Sequence, residues 1–189
     1  MPVTVGLDTS YYNTSLSVDL GFAVGQTFYA AQTEIAAITV WRIPDEANFT
    51  TPSRIFIMGL DSTGVPDVYN ILQDGPALPW PQGDGVHATP LRFDFDPPVV
   101  LPGVGEYEFA VQGDSCRGVV DLVGNGYGGQ NYLDGEFWYH GREATLCYYK
   151  PRVAPESHPD TDVVFEIEFC PTNTLSRPVT WGAIKALYK

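Results

Sequence analysis

The chain has 189 residues, room for one domain with a sizeable core. Its 10 Lys and Arg stand against 23 Asp and Glu, a net charge of −13 that excludes a nucleic-acid backbone as partner and disfavours anionic membranes. No apolar run is long enough to cross a bilayer and Met1-Pro2-Val3-Thr4-Val5 lacks a basic-then-apolar leader, so neither membrane insertion nor a signal peptide is expected.

In chain order, Val3, Val5 and Leu7 open a first strand, and Leu16, Val18, Leu20 and Phe22 alternate with small or polar residues in a second. Gly25-Gln26-Thr27-Phe28 leads into a strand over 35–43, and residues 54–60 are apolar on both faces, as in a strand near the middle of a covered sheet. Asp61 to Asp67 reads as a turn, 68–72 as a strand, and 74–90 as a long Pro- and Gly-rich loop of the kind that is functional or packs on a neighbour.

Leu91, Phe93 and Phe95 alternate with Arg92, Asp94 and Asp96, and Pro97-Pro98 is read as the end of that strand. The same period of two returns at Tyr107, Phe109 and Val111 and at Val163, Phe165, Ile167 and Phe169. A short strand is expected at 119–123, and residues 124–132 are too rich in glycine to continue it. Residues 137–139 and 145–149 read as a hairpin around His140-Gly141-Arg142. Eight to ten such strands without a sustained helical stripe imply an all-β fold, a two-sheet antiparallel β-sandwich of jelly-roll type. Phe93, Phe95, Phe109, Val111, Phe165 and Ile167 are its expected core.

The division expected is a sandwich domain over 1–170, a linker over 171–178 and a C-terminal docking tail over 179–189. Trp181, Ile184, Leu187 and Tyr188 are the tail's apolar anchors, suited to a neighbouring subunit or to folding back on the domain.

Motifs that carry chemistry are sparse. Gly113-Asp114-Ser115 resembles the nucleophile block of Gly-Asp-Ser hydrolases, but it stands past mid-chain, and His158 is followed by Pro159-Asp160 instead of following an Asp by three. No enzyme is therefore expected. His87, His140 and His158 lack metal-site spacing and read as loop histidines. No metal or other cofactor is expected. Ca²⁺ is the ion that the oxygen-rich turn at Asp61, Ser62, Thr63 and Asp67, or Asp134 with Glu136, would suit, yet the glycine position is not that of an EF-hand. Cys116, Cys147 and Cys170 are an odd number, and the last two read as small buried hydrophobes. Asn13-Thr14-Ser15 and Asn48-Phe49-Thr50 match the short glycosylation triplet.

Loop aromatics are the most suggestive pattern, with Trp80 between prolines, and Tyr127 and Tyr132 among glycines. Aromatic faces stack on sugar rings while amides and carboxylates bond hydroxyls, so Tyr127, Asn131, Tyr132 and Asp134 are the candidate glycan-binding residues. For Trp41 and Trp138 packing is the expected role.

The succession Gly25-Gln26-Thr27-Phe28, Ile38-Thr39-Val40, Gly59-Leu60-Asp61-Ser62-Thr63-Gly64-Val65-Pro66, Phe93-Asp94-Phe95, Leu101-Pro102-Gly103 and Tyr107 resembles the loose pattern of carbohydrate-binding-module-like jelly rolls over residues 20 to 170. Such modules are non-catalytic and occur on bacterial surface and secreted proteins and in phage particles. The resemblance implies fold more than ligand. Two roles are expected from it and from the composition. One is a structural or decorating subunit on the exterior of a virion or surface appendage, with protein subunits as partners and the tail as docking element. The other is a secreted glycan-binding module.

Overall fold

The computed structural model describes residues 3–7, 13–18, 22–46, 52–114, 120–126, 132–141 and 150–171. Every regular element among them is a strand: β1 (Val3–Gly6), β2 (Thr14–Val18), β3 (Ala23–Ala30), β4 (Glu34–Arg42), β5 (Ser53–Leu60), β6 (Pro66–Leu78), β7 (Thr89–Val100), β8 (Gly105–Gly113), β9 (Val120–Asn125), β10 (Phe137–His140), β11 (Glu156–Ser157), β12 (Asp162–Val163) and β13 (Phe165–Phe169). All pairings are antiparallel and they form two sheets packed face to face, the sandwich that the period-2 alternation predicts. The seven-stranded sheet runs β1, β13, β4, β9, β12, with β7 along β4 and β2 along β9. The six-stranded sheet runs β11, β10, β3, β8, β5, β6.

Alternation puts one side chain in two between the sheets. Phe93, Phe95, Phe109, Val111, Phe165 and Ile167 all lie in a single buried cluster there, with Val24, Phe28, Ile38, Ile55 and Leu122. Phe109 of one sheet meets Phe165 of the other at 5.1 Å between ring centroids, so the layers are joined by aromatic contact as well as by aliphatic packing.

Three expectations change. The loop expected from residue 74 begins only after Leu78, because β6 runs on through Asp74-Gly75-Pro76-Ala77. Register slips between Arg54 and Phe56 make room for it, and a Cβ on Gly75 would stand 2.6 Å from Ile55 Cγ2, so the close crossing requires glycine there. β7 likewise does not stop at Pro97-Pro98. Ile35 pairs with Val99 but Ala37 with Asp94, so the prolines occupy a bulge on a strand bonded to β4 along one side, where a missing N–H is tolerated. β9 continues through Gly124 and Asn125. The loop that remains after β6 packs on its own domain: the Trp80 indole is buried and donates to Ser53 Oγ at 2.8 Å, and the buried Arg42 guanidinium donates to Pro81 O at 3.2 Å.

The outer faces of the two sheets differ. From β7 and β13 the seven-stranded sheet carries Arg92, Asp94, Glu166 and Glu168 toward solvent, while Leu7, Val123 and Val164, with Trp41, Ile43 and Ala88, form a buried cluster on its outer side beside β9. The six-stranded sheet is covered. Ala23, Phe56, Met58, Val68 and Ala110 form a second buried cluster on its outer face, and Lys150 to Val153 lie beside Val68, Tyr69 and Ile71, with Lys150 Nζ 2.8 Å from Asp74.

Candidate functional site

On that covered face β8 alternates Tyr107, Phe109 and Val111 inward with Glu108, Ala110 and Gln112 outward. Glu108 and His140 of β10 are both buried, and His140 Nε2 lies 2.7 Å from Glu108 Oε1. The carboxylate reaches the imidazole across Gly25, where a Cβ would stand 1.8 Å from Glu108 Oε1, so glycine at this β3 position is what lets the pair form. Burial pushes the Glu108 carboxyl up, and the neighbouring imidazole opposes that shift. Glu108 Oε2, His140 Nδ1 and Trp138 Nε1 are buried without a hydrogen-bond partner. A carboxyl and imidazole at this distance can share a proton, and both are enclosed within the covered face. His140 is thus a strand residue in a buried pair, correcting its expected loop role, whereas His87 and His158 do lie in exposed loops.

A second polar group bridges the sheets. Gln26 points inward from β3, donates from Nε2 to Asp162 Oδ1 at 2.9 Å and accepts the Val163 N–H at 3.0 Å. Asp162 Oδ2 accepts the Tyr132 N–H at 2.8 Å. Burial outweighs these bonds and pushes the Asp162 carboxyl up to about 6. The same anchorage fixes the loop after residue 131: Glu136 N donates to Thr27 Oγ1 at 2.7 Å and Thr27 N to Glu136 O at 2.9 Å.

Of the four candidate sugar residues, Tyr132 is half-buried at the margin of the core, in a T-shaped contact with Phe165 at 5.1 Å between ring centroids. Burial, with the charge of Asp134 nearby, pushes its phenol up to about 12. Its hydroxyl is buried toward the Tyr29 backbone without completing a hydrogen bond. Asp134 is exposed at the following turn. Tyr127 and Asn131 lie outside the described residues, as do Ser115, Cys116, Cys147, Asn48 and the docking candidates Trp181, Ile184, Leu187 and Tyr188. Trp80 and Trp138 are buried, Trp138 as packing anticipated. Cys170 is a half-buried free thiol. Asp61 Oδ1 accepts from Thr63 N at 2.7 Å, Thr63 Oγ1 at 2.6 Å and Val65 N at 3.1 Å, so this carboxylate serves its own turn. Among the described residues no group of three or more His, Cys, Asp and Glu is placed to hold a metal ion.

An open cleft that no sequence motif announces lies where the sheet edges part, with a volume of about 320 Å³. Ser15, Leu16 and Ser17 of β2 form one wall, and Phe137 and Tyr139 of β10 the other, with Val24 of β3, His158 and Thr161 completing it. Backbone bonds fix its rim: His158 N donates to Phe137 O at 3.0 Å and Thr161 N to His158 O at 3.1 Å. The His158 ring then stands 5.7 Å from Phe137 and 6.4 Å from Tyr139, nearly perpendicular to the latter. The signal in the sequence was faint: Ser15 and Ser17 alternate with Leu16, and Tyr139 follows buried Trp138, but the strands that meet here are over a hundred residues apart. No family model, curated protein or solved structure matches the chain.

Proposed function

We propose that the chain is a non-catalytic structural or decorating subunit, carried on the exterior of a larger assembly such as a virion or surface appendage and docked through its C-terminal tail. The scaffold assigned to it is of jelly-roll type, supported by two packed antiparallel sheets whose neighbours are mostly distant in sequence. One observation carries this reading. The inter-sheet core is filled by residues up to Phe169, the Cys170 N–H closes on Glu34 O at 2.9 Å, and the chain then passes through exposed Pro171. Trp181, Ile184, Leu187 and Tyr188 follow that point in the sequence, and burying each against a partner is worth roughly 1.5–3 kcal/mol before ordering costs. The net charge of −13 keeps the exposed bodies apart. Deleting residues 179–189 is expected to leave the melting temperature of the domain nearly unchanged and to abolish incorporation into the assembly. A truncated chain that unfolds, or that still assembles, would overturn the reading.

A glycan-binding module is the second reading, favoured by the rings of Tyr139 and His158 at the side of the open cleft between β2 and β10.

A further inference from the structure

We propose that the tail over residues 179–189 docks on the outer face of the seven-stranded sheet in a second copy of this chain; the proposal rests on the tail-docking reading and names the surface that receives the tail. Charge argues first. Arg177 of the linker with Lys185 and Lys189 of the tail are three of the chain's 10 Lys and Arg, whereas none of its 23 Asp and Glu lies beyond Glu168. An acidic body thus carries a basic end, and such an asymmetry selects an acidic partner surface. The anchors add a second requirement. Lys185 directly follows Ile184 and Lys189 follows Leu187 and Tyr188, so a surface that buries these side chains has to place carboxylates beside exposed apolar groups.

The outer face of the seven-stranded sheet has that composition. Register sets Glu168 opposite Ala37 and Ala37 opposite Asp94, with Glu166, Thr39 and Arg92 in the next row, so carboxylates from β13 and β7 flank short side chains of β4. Arg92, bonded to Asp94 and Glu168, offsets part of this charge. At the end of the face Glu34 stands opposite Val100, and Val100 with Val104 of the following hairpin are 69% and 58% exposed. Carboxylates and apolar side chains therefore lie together. The tail departs from the same sheet, where Phe169 pairs with Ile35 and the Cys170 N–H closes on Glu34 O. Residues 171–178 reach up to about 27 Å when extended, more than the roughly 10 Å between packed sheets, so two bodies facing each other through these sheets can exchange tails. Two acidic faces alone repel, and reciprocal exchange of basic tails joins them as a two-fold pair.

The test is sedimentation velocity of the full chain over about a hundredfold range of concentration, in about 0.05 M and about 1 M salt. Association that grows with concentration is expected at low salt, weakened at least about tenfold at high salt. The tail variant Lys185→Glu/Lys189→Glu and the face variant Glu34→Lys/Glu166→Lys are each expected to lose at least about tenfold in self-association. Mixing the two is expected to restore it, because the acidic tail of one meets the basic face of the other, and a misfolded variant would not be rescued. A full chain that stays monomeric throughout, association that survives either reversal, or a mixture that fails to associate would overturn the docking on a second copy. Deletion of residues 179–189, melted in dilute solution, then judges the tail-docking reading separately. An unchanged melting temperature would leave that reading standing with a different partner, and a lowered one would show the tail folded back on its own domain and overturn both.

Discussion

On the outer faces of the two sheets, β7 and β8 begin from the same sequence pattern and end in opposite environments. In β7, Arg92 and Asp94 alternate with Leu91, Phe93 and Phe95; in β8, Glu106 and Glu108 alternate with Tyr107 and Phe109. Arg92 and Asp94 reach water, and Arg92 crosses above β4 to Glu168 of β13. Glu106 is exposed too, but Glu108, two residues on, is completely buried. Period-2 alternation reports which side chains face the other sheet. It is silent on whether the remaining face meets solvent or a covering layer, and that layer decides whether a charge there is cheap or costly.

The largest expected effect is in the layer that both faces enclose. Phe165 packs on Phe109 and Tyr132, so Phe165→Ala is expected to cost about 3–5 kcal/mol in urea unfolding. A cost near zero would mean that the sheets do not share this core.

Next comes the covered pair. Glu108→Ala leaves the buried His140 imidazole without its partner and is expected to cost roughly 3 kcal/mol. The comparison sharpens with Glu108→Leu/His140→Leu, which removes both polar groups and is expected to be more stable than Glu108→Ala. If the double replacement is the worse of the two, the pair is a net source of stability and burial is not its dominant cost.

Legibility follows the same line. The strands at 91–96, 107–111 and 163–169 and all six named core residues could be read from alternation, since one face of each is apolar without exception. The full lengths of β6 and β7 are not legible because Gly75-Pro76 and Pro97-Pro98 carry turn chemistry, and the bulges that absorb them depend on register with β5 and β4. The glycine-rich neighbourhood of Tyr132 suggests an exposed loop, while its backbone hydrogen bond to Asp162 and its contact with Phe165 are set from 30 or more residues away. The strand role of His140 is hidden in the sequence because its partner Glu108 comes from another strand, 32 residues earlier.

Asp162 gives a smaller effect, with a pH signature. Its carboxyl titrates at about 6 in the fold against an ordinary value of 3.8, so the native state keeps a proton that the unfolded chain has released between those values. The stability it contributes is full below pH 3.8 and is lost as pH rises through about 6. Unfolding midpoints measured across that window are expected to fall with rising pH, and the slope to shrink in Asp162→Asn whatever that variant's absolute stability. An unchanged slope would assign the proton to another group.

The smallest effect is expected at the exposed pair, and it closes the comparison of the two faces. The Glu168 carboxylate raises the basicity of Arg92, and Arg92 holds the Glu168 carboxyl below the usual range, through their hydrogen bonds, yet both side chains are open to water. Solvent screening and the entropy of fixing two long side chains limit such a pair, so a double-mutant cycle with Arg92→Ala and Glu168→Ala is expected to give a coupling of about 0.2–1 kcal/mol. Raising salt from about 0.1 M to about 1 M shortens the screening length from about 10 Å to about 3 Å and should remove most of that coupling. The same salt step should leave the Glu108–His140 coupling nearly unchanged, because no ionic atmosphere reaches a pair whose side chains are 0% and 1% exposed. Equal salt sensitivity at the two sites would mean that water reaches Glu108 and that the six-stranded sheet's outer face is not closed in solution.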